Sequence, residues 1–120
     1  MTNGNTKIKT TYRLPNVLRL KMLQAVESSY GKKKKSQWIN EAINDLVNND
    51  VGLSSVGLGE HYETQDKSDV ILLDEKTFEV LEVAMTIVRR HDPLYEGVQS
   101  SIIRAAIRSR LDQDEKNDRR

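Results

Sequence analysis

The chain has 120 residues, a length typical of one domain or of two very small ones. Charged residues make up 31% of it and aromatic residues 5%, which predicts a charged surface around a mainly aliphatic core. The absence of cysteine excludes disulfides, thiolate metal sites and a cysteine nucleophile. No apolar run is long enough to span a membrane, and the start has no apolar secretory signal, so we expect a cytoplasmic protein that binds no membrane.

The net charge of +1 is unevenly distributed along the chain. Residues 1–50 carry 9 Lys or Arg against 4 Asp or Glu, whereas residues 51–120 carry 10 against 14. This asymmetry predicts that the first half of the chain faces a polyanion. The alternative is a surface whose charges are uneven by chance.

The first predicted element is a strand over residues 7–14, whose residues alternate between two sides. One side carries Ile8, Tyr12 and Leu14, and a period of two of this kind predicts a strand with one buried face. The opposite, outward side carries Lys7, Lys9, Thr11 and Arg13. Pro15 then suits the first position of a helix, and Gly31 predicts the end of that helix.

A second helix follows the lysine run at residues 32–35. Its apolar stripe consists of Trp38, Ile39, Ala42, Ile43, Leu46 and Val47. The stripe places Trp38 in the core rather than against a nucleic-acid base. Because the free N–H groups and the dipole at a helix start favour an anion, Lys34, Lys35 and Ser36 are candidate phosphate ligands. The alternative for the lysine run is a solvated loop.

The second half of the chain repeats this pattern. The segment SQWINEAI at residues 36–43 has a counterpart, SSIIRAAI, at residues 100–107, with Ser, Ile, Ala and Ile at identical spacing. Residues 68–73 predict a strand, residues 74 or 76 to about 90 a helix, and residues 100–111 a last helix, with a turn at Pro93 and Gly97. The outward residues of this second strand are Ser68, Val70 and Leu72. Gln99 and Ser100 take the places of Lys35 and Ser36.

These elements predict a mostly helical fold with a short two-stranded antiparallel β-ribbon, made of two fused strand-helix-helix units that form a pseudo-dimer. The units cover residues 7–49 and 68–111, with a flexible linker over 50–67 and a charged, frayed tail over 112–120. A lone strand needs a partner for its backbone groups, and the linker is long enough for the two strands of one chain to pair. We favour this pairing, and pairing between second units of two chains is the alternative.

The chain resembles the ribbon-helix-helix family, which includes the Arc and methionine repressors. The resemblance depends on the alternating strand that ends in Leu14-Pro15, on Gly31 after the first helix, and on SQWINEAI at the start of the second. Two copies in one chain are similar to the tandem forms among conjugation accessory proteins of mobile elements. The resemblance implies that the strands enter the major groove of double-stranded DNA and that helix starts hold phosphates.

From the residues and from this resemblance, we expect sequence-specific binding of double-stranded DNA near the nucleoid, by a transcriptional repressor or an accessory factor of plasmid transfer or partition. Other copies of the chain on adjacent DNA sites are expected partners. The candidate base-reading residues are Lys7, Lys9, Thr11, Arg13, Ser68, Val70 and Leu72. The candidate phosphate ligands are Lys34, Lys35, Ser36, Gln99 and Ser100, with Arg89, Arg90, Arg104 and Arg108 as further candidates. Unlike the other candidates, Val70 and Leu72 are apolar and cannot donate hydrogen bonds to bases from their side chains. They would touch thymine methyl groups or make no base contact.

Other classes of function find less support in the sequence. A protein-interaction module, such as an antitoxin or an assembly adaptor, is the main alternative. The tail at residues 112–120 is short for a segment that would wrap a toxin, which counts against the antitoxin. No group of residues converges on catalytic chemistry, so we expect neither an enzyme nor a cofactor. His61 and His91 lack metal-ligand spacing, so we expect no metal site.

Overall fold

The computed structural model describes residues 6–31, 33–60, 64–65 and 67–118. In chain order, its elements are β1 (Lys7–Leu14), α1 (Asn16–Tyr30), α2 (Lys35–Asn49), β2 (Lys67–Asp74), α3 (Glu75–His91) and α4 (Val98–Asp118). The predicted mostly helical architecture with a two-stranded antiparallel sheet is confirmed. The elements follow the order strand, helix, helix in each half of the chain.

The two strands pair with each other within one chain. They run antiparallel, and their register extends from Lys7 opposite Asp74 to Leu14 opposite Lys67. One face of this ribbon packs on the helices through side chains that are almost fully buried: Thr10, Tyr12 and Leu14 of β1, and Ile71 and Leu73 of β2. The pairing within the chain that we favoured from linker length is therefore present. The alternation also leaves the opposite face of the ribbon free of the core.

The first helix begins one residue later than its sequence predicts. Pro15 has an extended backbone, with ψ at 146°, and precedes the helix instead of forming its first turn. Fixed φ and a missing N–H make proline suitable for this position as well. Gly31 ends the helix as predicted: its φ of 85° is in the region that favours glycine, and its N–H donates to the carbonyl of Glu27 at 3.1 Å.

The core lies where α2 and α4 pack against each other beneath the ribbon. Trp38, Ile39 and Ile43 of α2 are fully buried there, as are Ile103 and Ile107 of α4. The core position predicted for Trp38 is thus confirmed. The radius of gyration is 14.1 Å, close to the roughly 13.6 Å expected for a single compact domain of this length, so both halves share one body.

The segment between α2 and β2 is more than a spacer. Leu53 is buried in the core, and the carboxylate of Asp50 accepts hydrogen bonds from the backbone N–H groups of Ser54 and Ser55. The described part of the predicted flexible linker is therefore folded onto the protein in a series of turns. Local composition did not reveal this, because a single buried leucine between glycines gives no periodic signal.

The predicted frayed tail is also different in the structure. The last helix, predicted to end at Leu111, continues to Asp118. Residues 112–118 contain no glycine or proline to stop a helix, and the carboxylate of Asp114 lies 3.6 Å from the guanidinium of Arg110, one turn earlier. Residues 119–120 lie outside the described part of the chain. None of the described helices is both long and apolar enough to cross a membrane.

Candidate nucleic-acid interface

The outer face of the ribbon brings all seven predicted base-reading residues together. In β1 the exposed positions are Lys7, Lys9, Thr11 and Arg13, and in β2 they include Ser68, Val70 and Leu72. Val70 and Leu72 keep 42% and 45% of their surface exposed on this face. The face is therefore cationic and polar along one strand and largely apolar along the other.

The cations of β1 differ in how they are held. Lys7 forms an ion pair with Asp74, directly opposite it in β2. The Nε of Arg13 donates to the carbonyl of Gln65 at 3.0 Å, a contact that orients the guanidinium while the residue stays exposed. Lys9 is exposed between them, opposite Leu72. The sequence missed a further exposed cation, Lys67, which begins β2 one residue before the predicted strand.

The start of α2 is attached to the outer edge of β2. The Oγ of Ser36 accepts a hydrogen bond from the backbone N–H of Leu72 at 3.0 Å. One turn later, the side-chain amide of Asn40 donates to the carbonyl of Leu72 at 3.1 Å, and its oxygen accepts from the N–H of Asp74 at 2.9 Å. These bonds satisfy backbone groups that an edge strand would otherwise leave without partners. They also fix the α2 start beside the ribbon.

The start of α4 is attached to the outer edge of β1 in the same manner. The Oγ of Ser100 accepts from the backbone N–H of Arg13 at 3.1 Å, and Gln99 donates to the carbonyl of Thr11 at 2.9 Å. One turn later, the guanidinium of Arg104 donates to the carbonyl of Arg13 at 2.7 Å. Each strand thus has the N-terminus of one helix bonded along its outer edge.

Four of the five predicted phosphate ligands have partners inside the protein. Ser36, Gln99 and Ser100 are bonded to strand backbone, as described above. Lys35 forms an ion pair of 2.7 Å with Asp69, whereas Lys34, the residue that caps α2, is exposed and its side chain makes no cap hydrogen bond. Neither α2 nor α4 has an acidic residue in its first turn, so the positive end of each helix dipole is not neutralised there. Backbone N–H groups at both helix starts are suited to an anion.

A buried hydrogen bond connects β2, beside the α2 start, to the core. The hydroxyl of Tyr12, almost fully buried, donates to one carboxylate oxygen of Asp69 at 2.8 Å, while the other oxygen holds Lys35. Burial raises the pKa of the Tyr12 hydroxyl far above its ordinary value, and the charge of Asp69 raises it further. Tyr12 therefore stays protonated and acts as a permanent donor that positions Asp69.

Two of the further phosphate candidates belong to a buried cluster instead. Arg104 is only 6% exposed, and its guanidinium pairs with the carboxylate of Glu60 at 2.7 Å. Arg108 pairs with the same carboxylate. The expectation that Arg104 contacts phosphate is wrong, because its side chain points into the protein between β1 and the linker. The partially buried Arg108 is likewise committed to Glu60.

The remaining two candidates lie at the end of α3 that is away from β2 in the chain. Arg89 and Arg90 are exposed in the last turn of α3. Because α3 begins where β2 ends and rises about 1.5 Å per residue, these arginines lie roughly 20 Å along the helix from the ribbon end.

Asn40 is a residue of the interface that sequence reasoning missed. It is 7% exposed and holds both Leu72 and Asp74. A signal was present, because the 64-residue repeat aligns Asn40 with Arg104, and a polar side chain stands on a buried stripe at both positions. Polar residues on a buried stripe need hydrogen-bond partners, and here each finds them on a strand edge.

The described residues contain no group of three or more His, Cys, Asp or Glu side chains that could hold a metal ion. His61 lies outside the described part of the chain. No protein-family model, curated protein or solved structure matches this chain. Its function must therefore be inferred from the interface itself.

Proposed function

We propose that this chain binds double-stranded DNA sequence-specifically by inserting the β1–β2 ribbon into the major groove. The observation that carries this proposal is the exposed row of Lys9, Thr11 and Arg13 on a two-stranded ribbon with a helix N-terminus at each edge. We further propose that the chain acts as a transcriptional repressor or as an accessory factor of plasmid transfer or partition.

The dimensions and chemistry of the ribbon suit this role. Paired strands lie about 4.8 Å apart, and a major groove about 12 Å wide admits a two-stranded ribbon. Arginine can bond two acceptors of guanine, lysine can bond guanine or phosphate, and threonine can offer a hydroxyl or a methyl group. A groove reader needs such side chains on one exposed face, and β1 has them at every second position from Lys7 to Arg13.

The reciprocal attachments of the helices support a pseudo-dimer of two strand-helix-helix units as the basis of this surface. Ser36 from the first half bonds to β2 of the second half, and Ser100 from the second half bonds to β1 of the first. An exchange of this kind is expected when two similar units share one ribbon. It would place one helix start near the DNA backbone on each side of the groove, where N–H groups can bind phosphate.

A protein-interaction module, such as an antitoxin or an assembly adaptor, is the second candidate. The observation that favours it is the exposure of Val70 and Leu72 on the ribbon, because exposed apolar side chains on a strand can dock a partner protein. Co-purification of a stoichiometric protein partner that depends on Leu72 would support this function over DNA binding.

The test of DNA reading is selection of genomic fragments by the purified chain at about 150 mM salt, a concentration that suppresses nonspecific binding. The wild type should enrich a discrete site, and Arg13→Ala should weaken binding to it by about 1–3 kcal/mol while relaxing the preference at one base pair. Lys21→Ala is the matched control, since it removes an exposed cation from α1. Equal losses on specific and random DNA would remove Arg13 from the base-reading set.

Phosphate binding at the α2 start can be separated from base reading by the salt dependence of affinity. Lys34→Ala should weaken binding to all DNA sequences and lower the slope of log affinity against log salt by about one. Lys35→Ala should have the same effect if the phosphate draws Lys35 away from Asp69. An unchanged slope in both variants would show that phosphates do not contact the α2 start.

A further inference from the structure

The two strands of the ribbon present unequal side chains at corresponding positions. The backbone N–H of Arg13 is bonded to Ser100, and that of Leu72 is bonded to Ser36, so Arg13 and Leu72 occupy corresponding places. Two residues earlier in each strand, Thr11 and Val70 occupy corresponding places, and two residues before those, Lys9 and Ser68 do so. A ribbon that contacts DNA symmetrically would have the same residue type at corresponding places of the two strands. Here every place differs, and an apolar side chain replaces a polar one at two of them.

The register shows how this difference is distributed along the ribbon. Lys9 lies opposite Leu72 at one end, Thr11 opposite Val70 at the centre, and Arg13 opposite Ser68 at the other end. One end therefore combines a cation with an apolar side chain, whereas the other combines a cation with a hydroxyl. The face has a direction, and DNA in contact with it would be read differently at its two ends.

We propose that the DNA site is asymmetric, and that Leu72 and Val70 read the 5-methyl groups of thymines. This inference rests on the proposed function of the ribbon. Leucine and valine have no hydrogen bond to offer, and the methyl group of thymine is the apolar group that bases present in the major groove. A G·C pair at the same place offers no methyl group, so the apolar contact of Leu72 or Val70 would be lost.

The spacing of the strand places these contacts along the site. Outward residues recur about every 6.8 Å, which corresponds to roughly two base-pair steps of about 3.4 Å. The contacts from Lys9 to Arg13 would therefore cover about four steps. We expect thymine methyl groups at the centre, near Val70, and at the Lys9–Leu72 end, and guanine at the Arg13–Ser68 end. Such a site cannot be an inverted repeat.

The test begins from the site selected by the wild-type chain and replaces its thymines one at a time with deoxyuridine, which lacks only the methyl group. Affinity is measured by fluorescence anisotropy. Replacement at one or two thymines should weaken binding about fourfold, the factor expected for losing one buried methyl group, and the other thymines should show no effect. In Leu72→Ala, the penalty at the thymine nearest the Lys9 end should disappear, while the penalty at the centre should persist.

Leu94→Ala is the matched control, because Leu94 is 87% exposed in the loop between α3 and α4. It should reproduce the wild-type pattern. Tight binding to a discrete site that is indifferent to every deoxyuridine would overturn methyl reading and leave the proposed function intact. An inverted repeat within the roughly four base-pair steps under one ribbon would overturn the asymmetry. If the wild type selects no site, or if Leu72 is instead needed for a stoichiometric protein partner, the proposed function and this inference both fail.

Discussion

The two helix starts that attach to the ribbon perform the same task with different chemistry. In the first half, Ser36 and the neutral amide of Asn40 bond to the edge of β2. In the second half, Ser100 and the charged guanidinium of Arg104 bond to the edge of β1. An amide carries no charge and needs no counterion, whereas a buried guanidinium does. The second half therefore depends on Glu60, a residue of the linker, and the first half has no such requirement at Asn40.

This comparison shows that similar backbone geometry does not require similar side chains. A serine stands at both helix starts. Its side chain is short, so its hydroxyl can accept a hydrogen bond only from a strand N–H that lies close to the helix start. The residue one turn later differs in chemistry, because Asn40 donates to one strand group and accepts from another, whereas Arg104 can only donate. Arg104 is longer than Asn40 and has donors left over, and these are used by Glu60 and Ser101. The linker thereby becomes part of the second attachment.

The largest expected effect comes from removing that counterion. Glu60→Ala would leave Arg104 buried without its carboxylate, and breaking a buried ion pair in this way should lower the free energy of unfolding by about 3 kcal/mol. Urea denaturation measures this change. Glu79→Ala, an exposed acid on α3, is the control and should change stability by less than about 0.5 kcal/mol. A loss as small as that of the control would mean that the cluster adds nothing to folding.

The corresponding change in the first half should have a smaller effect. Asn40→Ala would leave the carbonyl of Leu72 and the N–H of Asp74 without their side-chain partner, at a cost of about 2 kcal/mol. Asn48→Ala, an exposed residue on the same helix, controls for helix propensity. A larger loss of unfolding free energy in Asn40→Ala than in Glu60→Ala would contradict the idea that the charged attachment depends more strongly on its partners.

The serines should behave alike in both halves. Ser36→Ala and Ser100→Ala each remove one hydrogen bond to a strand N–H, and each should cost about 1 kcal/mol. Amide hydrogen exchange should accelerate at Leu72 in the first variant and at Arg13 in the second. Ser28→Ala on the exposed side of α1 should alter neither amide. Exchange that changed at both amides in both variants would indicate that the two attachments unfold together.

Acid should weaken the second attachment through Glu60. Burial by itself would raise the pKa of Glu60, but hydrogen bonds from Arg104 and Arg108 outweigh it and hold the pKa below its ordinary value of 4.5. A lowered pKa in the folded state stabilises the protein above pH 4.5, and this contribution is lost as the pH falls through the folded-state pKa. Unfolding measured from pH 6 downward should therefore show a steeper loss in wild type than in Glu60→Gln. Parallel curves would argue against this linkage.

The fold was largely predictable because its signals are local. Alternation in residues 7–14 distinguished the outward row that includes Lys9 and Arg13 from the buried Tyr12 and Leu14, and both sets are found as predicted. The helical stripe that contains Trp38 likewise identified the core side of α2. Boundaries were less accurate where no residue marks them, as at the end of α4, which continues to Asp118.

The candidate interface was predictable only in part. Charge and position suggested phosphate contacts for Arg104 and for the residues at both helix starts. The side chains of Arg104, Ser36 and Ser100 have partners within the fold, whereas Lys34 is exposed. A sequence shows that a side chain can donate or accept, but not which group it meets.

The sequence by itself determined the periods of the strands and helices, and with them the order of elements, the buried faces and the outward row of β1, because those properties depend on residues two to four positions apart. The tertiary structure alone decided which groups meet at the ribbon edges. The bonds from Asn40 to Leu72 and from Arg104 to Arg13 span 32 and 91 residues, and the carboxylate that pairs with Arg104 belongs to Glu60 in the linker. Because these contacts join residues far apart in the sequence, only packing could show how each helix start is attached to the ribbon.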